Sequence, residues 1–255
     1  MCIIVYKPAG KRLPSENILK NCFINNPDGA GIMIKTEKGI QIQKGYMYFK
    51  HLKNAITELE KQYNTKELEI AIHFRYATHG TINEGNCHPF PLSRKTKELT
   101  DKQGIFDSAI MHNGIISFAE KNKKLSDTQI FIRDYLTQIP INQLFNPAIT
   151  DLILEATDSK FILMSSEFNT VLIGDFIKEK NGIYYSNKGY LQKVTTKITK
   201  DTFYNYGTNY CSECLFCPYY DDIIMDCIYY DIFPEHTEKE FSQECLIWYE
   251  EDNKQ

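Results

Sequence analysis

An α+β fold is what the 255-residue chain predicts. Strand-like, helix-like and again strand-like segments follow one another in blocks, without the regular βαβ alternation that builds a doubly wound parallel sheet. A chain of this length also buries roughly three quarters of the surface its unfolded form exposes, so layers of helix and sheet can share a core without staples.

The elements follow in order. Residues 2–6 (CIIVY) are β-branched and aromatic and stop at Lys7-Pro8-Ala9-Gly10, a strand running into a turn. After Pro14-Ser15-Glu16, the apolar residues Ile18, Leu19, Cys22 and Phe23 recur at helical spacing up to about Asn25. Asn26-Pro27-Asp28-Gly29 is a turn, and GIMIKT followed by GIQIQKG predicts a hairpin. Phe49, Leu52, Ile56 and Leu59 mark one face of a helix over residues 47–63. LEIAIHF (68–74) and SAIMHNGII (108–116) are strands. Ser126-Asp127-Thr128-Gln129 has the form of a capping box at the head of a helix reaching about Gln138, and a second helix covers 141–157. FILMSS (161–166), TVLIGD (170–175) and GIYYSN (182–187) are a closing run of strands. Composition then shifts to Tyr, Cys and Asp, which places a boundary near residue 200: a first domain over 1–200 and a cysteine- and tyrosine-rich extension over 201–255.

Net charge is −4 with both signs mixed along the chain, against a surface built to bind nucleic acid. No apolar run approaches a membrane span, and the N-terminus lacks the build of a signal peptide, so the expected location is the cytoplasm. In a reducing compartment the cysteines crowded at Cys211, Cys214, Cys217, Cys227 and Cys245 are either metal ligands or buried thiols, not disulfides.

Several short motifs carry chemistry. Cysteine at position 2 is small enough for the initiator Met to be removed, which would leave Cys2 with a thiol and a free α-amine on one residue. The amine's reference pKa, about 7.7–8.0, suits a general base at neutral pH. Taken alone, Cys2 reads first as a small hydrophobe opening a core strand. Arg75, in His73-Phe74-Arg75-Tyr76-Ala77-Thr78-His79-Gly80, offers a planar fork for a carboxylate, or is an ordinary surface cation. His112-Asn113-Gly114 offers an amide and an open backbone N–H for an oxyanion hole, or a simple hairpin turn. Asp127 suits a substrate ammonium, or complements its helix dipole.

In this order, Cys2, Asn26-Pro27-Asp28-Gly29-Ala30-Gly31, Arg75-Tyr76-Ala77-Thr78-His79-Gly80, Asn86-Cys87-His88-Pro89, His112-Asn113-Gly114 and Ser126-Asp127-Thr128 resemble the class II glutamine amidotransferase domain over roughly residues 2–190. The resemblance implies a four-layer α/β/β/α sandwich of the N-terminal-nucleophile hydrolase type. It implies Cys2 as nucleophile with its own amine as base, and Asn113 and Gly114 as the oxyanion hole. Arg75 and Asp127 would hold the α-carboxylate and α-ammonium of glutamine, with Tyr76, Thr78, His79 and Gly80 lining the pocket. The implied reaction cleaves the side-chain amide of glutamine or a γ-glutamyl compound through a thioester on Cys2, with no cofactor. Tyr76 replaces a frequent Trp, Asn26-Pro27 lacks an Arg common in that turn, Cys87 and Phe90 alter the Asn-x-His-Pro segment, and Gln129 replaces a common Glu. Residues 201–255 are too few for an ammonia-accepting domain, so a protein partner that accepts ammonia is one expectation. The alternatives are a γ-glutamyl amide or peptide hydrolase that hands on no ammonia, and a catalytically idle fold used as a structural or interaction protein.

The thiols at Cys211, Cys214, Cys217 and Cys227 motivate a structural zinc ion, with reduced cysteines packed beside tyrosines as the alternative. Elemental analysis of chelator-free protein is expected to return about one equivalent of zinc, the stoichiometry of a four-ligand structural site. A metal-free protein with four titrating thiols in the tail would retire this expectation.

Overall fold

The structure, a computed structural model, describes residues 2–77, 81–119 and 125–191, together with Tyr220–Asp221 and Asp226–Cys227. The chain divides into two units, Met1–Lys193 and Val194–Gln255. In the second, the described residues form an antiparallel pair, Tyr220 opposite Cys227 and Asp221 opposite Asp226. The boundary expected near residue 200 and the candidate ligands Cys211, Cys214 and Cys217 lie outside the described residues. So does the side chain of Cys227.

In the first unit the elements run β1 (Ile3–Lys7), α1 (Glu16–Asn25), β2 (Ala30–Thr36), β3 (Gly39–Tyr46), α2 (Phe49–Gln62), β4 (Glu69–Phe74), β5 (Phe90–Pro91), α3 (Thr96–Thr100), β6 (Gln103–Phe106), β7 (Ser108–Asn113), α4 (Asp127–Asp134), α5 (Ile141–Leu144), α6 (Pro147–Thr157), β8 (Lys160–Ser165), β9 (Val171–Ile173), β10 (Ile177–Lys178) and β11 (Tyr184–Tyr185). They build a seven-stranded sheet, β10-β11-β1-β4-β2-β3-β6, and a four-stranded sheet, β5-β7-β8-β9. Every pairing in both is antiparallel, so the fold is α+β with antiparallel sheets.

Side-chain alternation along the strands assigns the layers. Ile4, Tyr6, Met33, Ile40, Ile42 and Ala71 of the larger sheet share one buried cluster with Ala109, Met111, Ile162 and Met164 of the smaller. The intervening residues Ile110, Phe161 and Leu163 point the other way and pack with Ile130, Phe131, Ile132, Leu144 and Ile153 of α4, α5 and α6. On the far face of the larger sheet, Phe23 of α1 meets Phe74 of β4 and Phe49 of α2 edge-on, at 6.3 and 5.9 Å between ring centroids.

The two helical stretches differ from the sequence expectation for local reasons. The helix headed by Ser126 does carry the capping box, with Gln129 N–H donating to Ser126 and Ser126 N–H to the Gln129 side chain. It ends at Asp134, and a 3₁₀ turn, Leu136–Gln138, completes the stretch. The helix expected over 141–157 is broken, because Pro147 has no N–H to donate and starts α6 as its first residue, capped by Asn146 accepting from Ala148. β5, α3, β6 and β10 are elements the sequence pattern did not indicate. No described helix is long and apolar enough to cross a membrane.

Candidate active site

The strand register brings the candidate residues to one edge. Ile3 lies opposite Phe74, Phe74 opposite Ala30, and Ala30 opposite Tyr46, so one row crosses β1, β4, β2 and β3. Just beyond that row stand Cys2, Arg75 and Gly29. The ladder continues there: Arg75 N–H donates to Gly29 O at 2.8 Å and Asp28 N–H to Arg75 O at 3.0 Å. Tyr76 N–H points at the Cys2 sulfur, 3.2 Å away, and the Cys2 thiol lies 3.4 Å from Tyr76 O. Asp28 Oδ2 accepts from Ala77 N at 2.7 Å, tying the segment after β4 to the turn before β2. Gly29 has φ +108, and a Cβ there would lie 2.5 Å from the Cys87 sulfur, so both its backbone and its surroundings exclude a side chain. Arg75 is buried, not a surface cation, and its Nη1 donates to Thr81 O at 3.2 Å. Tyr76 is exposed. Thr78, His79 and Gly80 lie outside the described residues.

By alternation Cys2 shares the inter-sheet face with Ile4, and Asn113, the last residue of β7, shares it with Met111. A two-residue segment after β11 joins them. Ser186 Oγ accepts from Ile4 N at 2.9 Å and from Asn113 Nδ2 at 2.8 Å, and Asn187 Nδ2 donates to Cys2 O at 2.7 Å. The hairpin reading of Asn113-Gly114 fails, since the next strand of that sheet, β8, comes only after α4, α5 and α6. Gly114 answers to space instead: a Cβ there would sit 2.0 Å from Ser159 Oγ and 3.0 Å from His112 Nε2.

Asp127 is set by three donors. Its Oδ2 accepts from Ile116 N at 2.8 Å, and its Oδ1 from Thr128 N at 2.8 Å and the Thr128 hydroxyl at 3.4 Å. The same hydroxyl lies 2.8 Å from His112 Nδ1, while His73 Nε2 lies 3.0 Å from His112 O, the carbonyl that precedes Asn113. His88 fills the space between, its ring 4.2 Å from that of His73 and 4.5 Å from that of Phe90. Neither nitrogen of His88 has a hydrogen-bond partner among the described residues.

Burial dominates the electrostatics. It lowers His73 to about 3, and it holds His88 well below and His112 below the ordinary histidine value; the charge of Arg75 adds to the shift at His73 and His88. All three rings are therefore neutral near pH 7. Burial also raises the Cys2 thiol, opposed first by its backbone hydrogen bond with Tyr76. A thiol so placed needs a base to react. Cys87 is fully buried, and burial pushes its thiol up to about 11. No group of three or more His, Cys, Asp or Glu suited to a metal ion occurs among the described residues.

Ser186 and Asn187 were not singled out in the sequence, where Ser-Asn after two tyrosines reads as an ordinary strand end. The three histidines lay inside quoted motifs, but nothing local marked them as one buried group.

No protein-family model matches the chain. Over 121 residues it is 33% identical to a glutamine–fructose-6-phosphate aminotransferase (isomerizing) of Fusobacterium nucleatum subsp. nucleatum, a match covering 47% of this chain and 17% of that protein. The chain thus spans under a fifth of the relative's length, and the match supports the class II glutamine amidotransferase resemblance. Among solved structures, the glutamine phosphoribosylpyrophosphate amidotransferase of B. subtilis, complexed with ADP and GMP, aligns at 14% identity and a TM-score of 0.40, covering 72% of this chain and 41% of that one.

The histidine group makes stability pH-dependent in a defined direction. In the unfolded chain these rings titrate near 6.5; in the fold they stay neutral to far lower pH. Their contribution is thus fully present above about pH 6.5 and is lost as pH falls from there toward 3. Each histidine adds at most about 1.4 kcal/mol per pH unit inside that window. Urea unfolding of the purified protein between pH 7 and 5, before most carboxylates protonate, is expected to show a falling midpoint, with a shallower fall in His73→Gln. A flat profile in both would contradict the burial of these rings.

Proposed function

We propose that the chain is a glutamine amidotransferase-like amidohydrolase of the N-terminal-nucleophile type, its first unit a four-layer α/β/β/α sandwich. The placement of Cys2 and Asn113 on one inter-sheet face, bridged by Ser186 and Asn187, is the observation that carries the reading. The identity to an aminotransferase that by its name uses glutamine supports glutamine as the substrate.

In this reading Met1 is removed and the α-amine of Cys2 takes the proton of its own thiol. The thiolate attacks the side-chain amide carbon of glutamine. Of the two N–H groups on Asn113 Nδ2, one is held by Ser186 and the second meets the developing oxyanion together with Gly114 N–H. The intermediate collapses as the protonated amine returns its proton to the leaving nitrogen, releasing ammonia and leaving a γ-glutamyl thioester. Water, deprotonated by the same amine, then attacks the thioester and frees glutamate. The buried Arg75 holds the α-carboxylate, and Asp127, with its oxygens oriented by Ile116 and Thr128, holds the α-ammonium. Thr78, His79, Gly80 and Tyr76 line the pocket. The chain works in the cytoplasm, and the ammonia either leaves or enters a partner protein.

Intact mass spectrometry before and after a glutamine-like diazo-ketone is expected to show a chain lacking Met1 with one adduct, at Cys2. Labelling at Cys87 in its place would sink the mechanism. With glutamine as substrate, Cys2→Ala is expected to abolish hydrolysis and to fold. Asn113→Ala should lower turnover by roughly a hundredfold or more. Removing Arg75 or Asp127 should cost about 2–4 kcal/mol in kcat/KM. Small, equal effects of all three substitutions would separate these residues from one site.

A further inference from the structure

The residue that holds the Asn113 amide is itself unusually constrained. Ser186 is fully buried, and its N–H, its carbonyl and its hydroxyl oxygen all take part in hydrogen bonds. Its N–H donates to Ile4 O at 3.0 Å. Its carbonyl accepts from Lys160 Nζ at 2.7 Å, and Lys160 stands directly opposite Asn113 in the smaller sheet. A hydroxyl oxygen has two lone pairs, and both are used here, one by Ile4 N–H and one by Asn113 Nδ2. Ile4 belongs to the strand that begins beside Cys2, so one oxygen measures the position of the amide from the strand that carries the thiol.

We infer that Ser186 is the positioning residue that aims the Asn113 amide at the reacting carbonyl oxygen. The inference rests on the function proposed above. The terminal torsion of asparagine is broad, so an untethered amide turns through a wide range and offers an oxyanion a correctly placed N–H only part of the time. With one N–H fixed on Ser186, the planarity of the amide fixes the direction of the other. An oxyanion donor acts in the transition state, so losing its aim lowers turnover and leaves ground-state binding alone. Ser186 makes no hydrogen bond to the Cys2 thiol; its bonds to Asn113 and to Ile4 are the two routes by which it bears on the chemistry, and the test below separates them.

The test uses the full chain with glutamine, alongside alkylation of Cys2 by iodoacetamide, a displacement that forms no oxyanion and is followed at the Cys2 peptide by mass spectrometry. Ser186→Ala is expected to lower kcat by roughly ten- to a hundredfold, with KM and the Cys2 alkylation rate each within about twofold of the parent. Placed on Asn113→Ala, it should lower kcat by no more than about twofold further, because the group it aims is gone. Wild-type turnover in Ser186→Ala overturns the inference. So does an equal loss on the Asn113→Ala background, or an alkylation rate that falls in step with turnover, either of which would make Ser186 a general support for the strand. Should Ser186→Ala fail to fold, Ser186→Cys, which fills the site with a slightly larger atom and a weaker acceptor, is held to the same outcomes. Asn113→Ala at full activity, or a parent chain that hydrolyses no glutamine, would overturn the proposed function and this inference together. A loss in Asn113→Ala without one in Ser186→Ala would overturn this inference alone.

Discussion

The register of β1 between β4 and β11 is the constraint on which the candidate site depends. Five successive residues of β1 pair with β4, from Ile3 opposite Phe74 to Lys7 opposite Ile70, and β11 closes the other side. A slip of one residue would turn Ile4 and Tyr6 out of the layer between the sheets and carry Cys2 to the opposite face. Ile3, Ile4 and Val5 are all buried, so a slip would repack both faces of the strand at once, and it would also break the two hydrogen bonds that Ile4 makes with Ser186. Hydrophobic packing thus sets the position of a thiol to which it makes no chemical contribution.

A second layer of control is polar and lies behind the first. His73, on the inter-sheet face of β4, and His112, stacked on Phe161 on the helix side of β7, each make a hydrogen bond, with the His88 ring packed against that of His73, and the neutrality of all three places no charge beside Arg75. His112 joins the backbone before Asn113 to the hydroxyl beside Asp127, so the two ends of the proposed substrate site share a support. Such a network is costly wherever a donor or acceptor goes unmatched, and among the described residues that cost falls on both nitrogens of His88, on Nδ1 of His73 and on Nε2 of His112.

Much of the fold was legible in local pattern. The β-branched run at residues 2–6, the hairpin of β2 and β3 and the capping box at Ser126 each declare themselves within a few residues. The elements that were missed are those whose existence depends on a distant partner. β5 is two residues long and exists because it pairs with β7; β6 is half exposed and exists because it edges β3. Helix 141–157 was read through Pro147 although the breaking signal was present. In the site, the motifs pointed to Cys2, Arg75, Asn113 and Asp127 by type and order, but the burial of Arg75 could not be read from a charged residue at a strand end. Ser186 was beyond reach for a plainer reason: the bond from Ile4 spans 182 residues, and no local rule reports it.

The tether on Asn113 bears on how the molecule ages. An asparagine followed by glycine is the dipeptide most open to spontaneous cyclisation, in which the glycine backbone nitrogen attacks the side-chain amide carbon and expels ammonia, and water then opens the ring to an acid. In the fold, that amide is tied to Ser186, and Gly114 packs close enough to Ser159 that a Cβ there would lie 2.0 Å from its hydroxyl. Ring closure turns that amide toward the Gly114 nitrogen, away from its partner on Ser186. The chemical lifetime of the amide is therefore set less by its sequence than by how often this corner of the two sheets comes open.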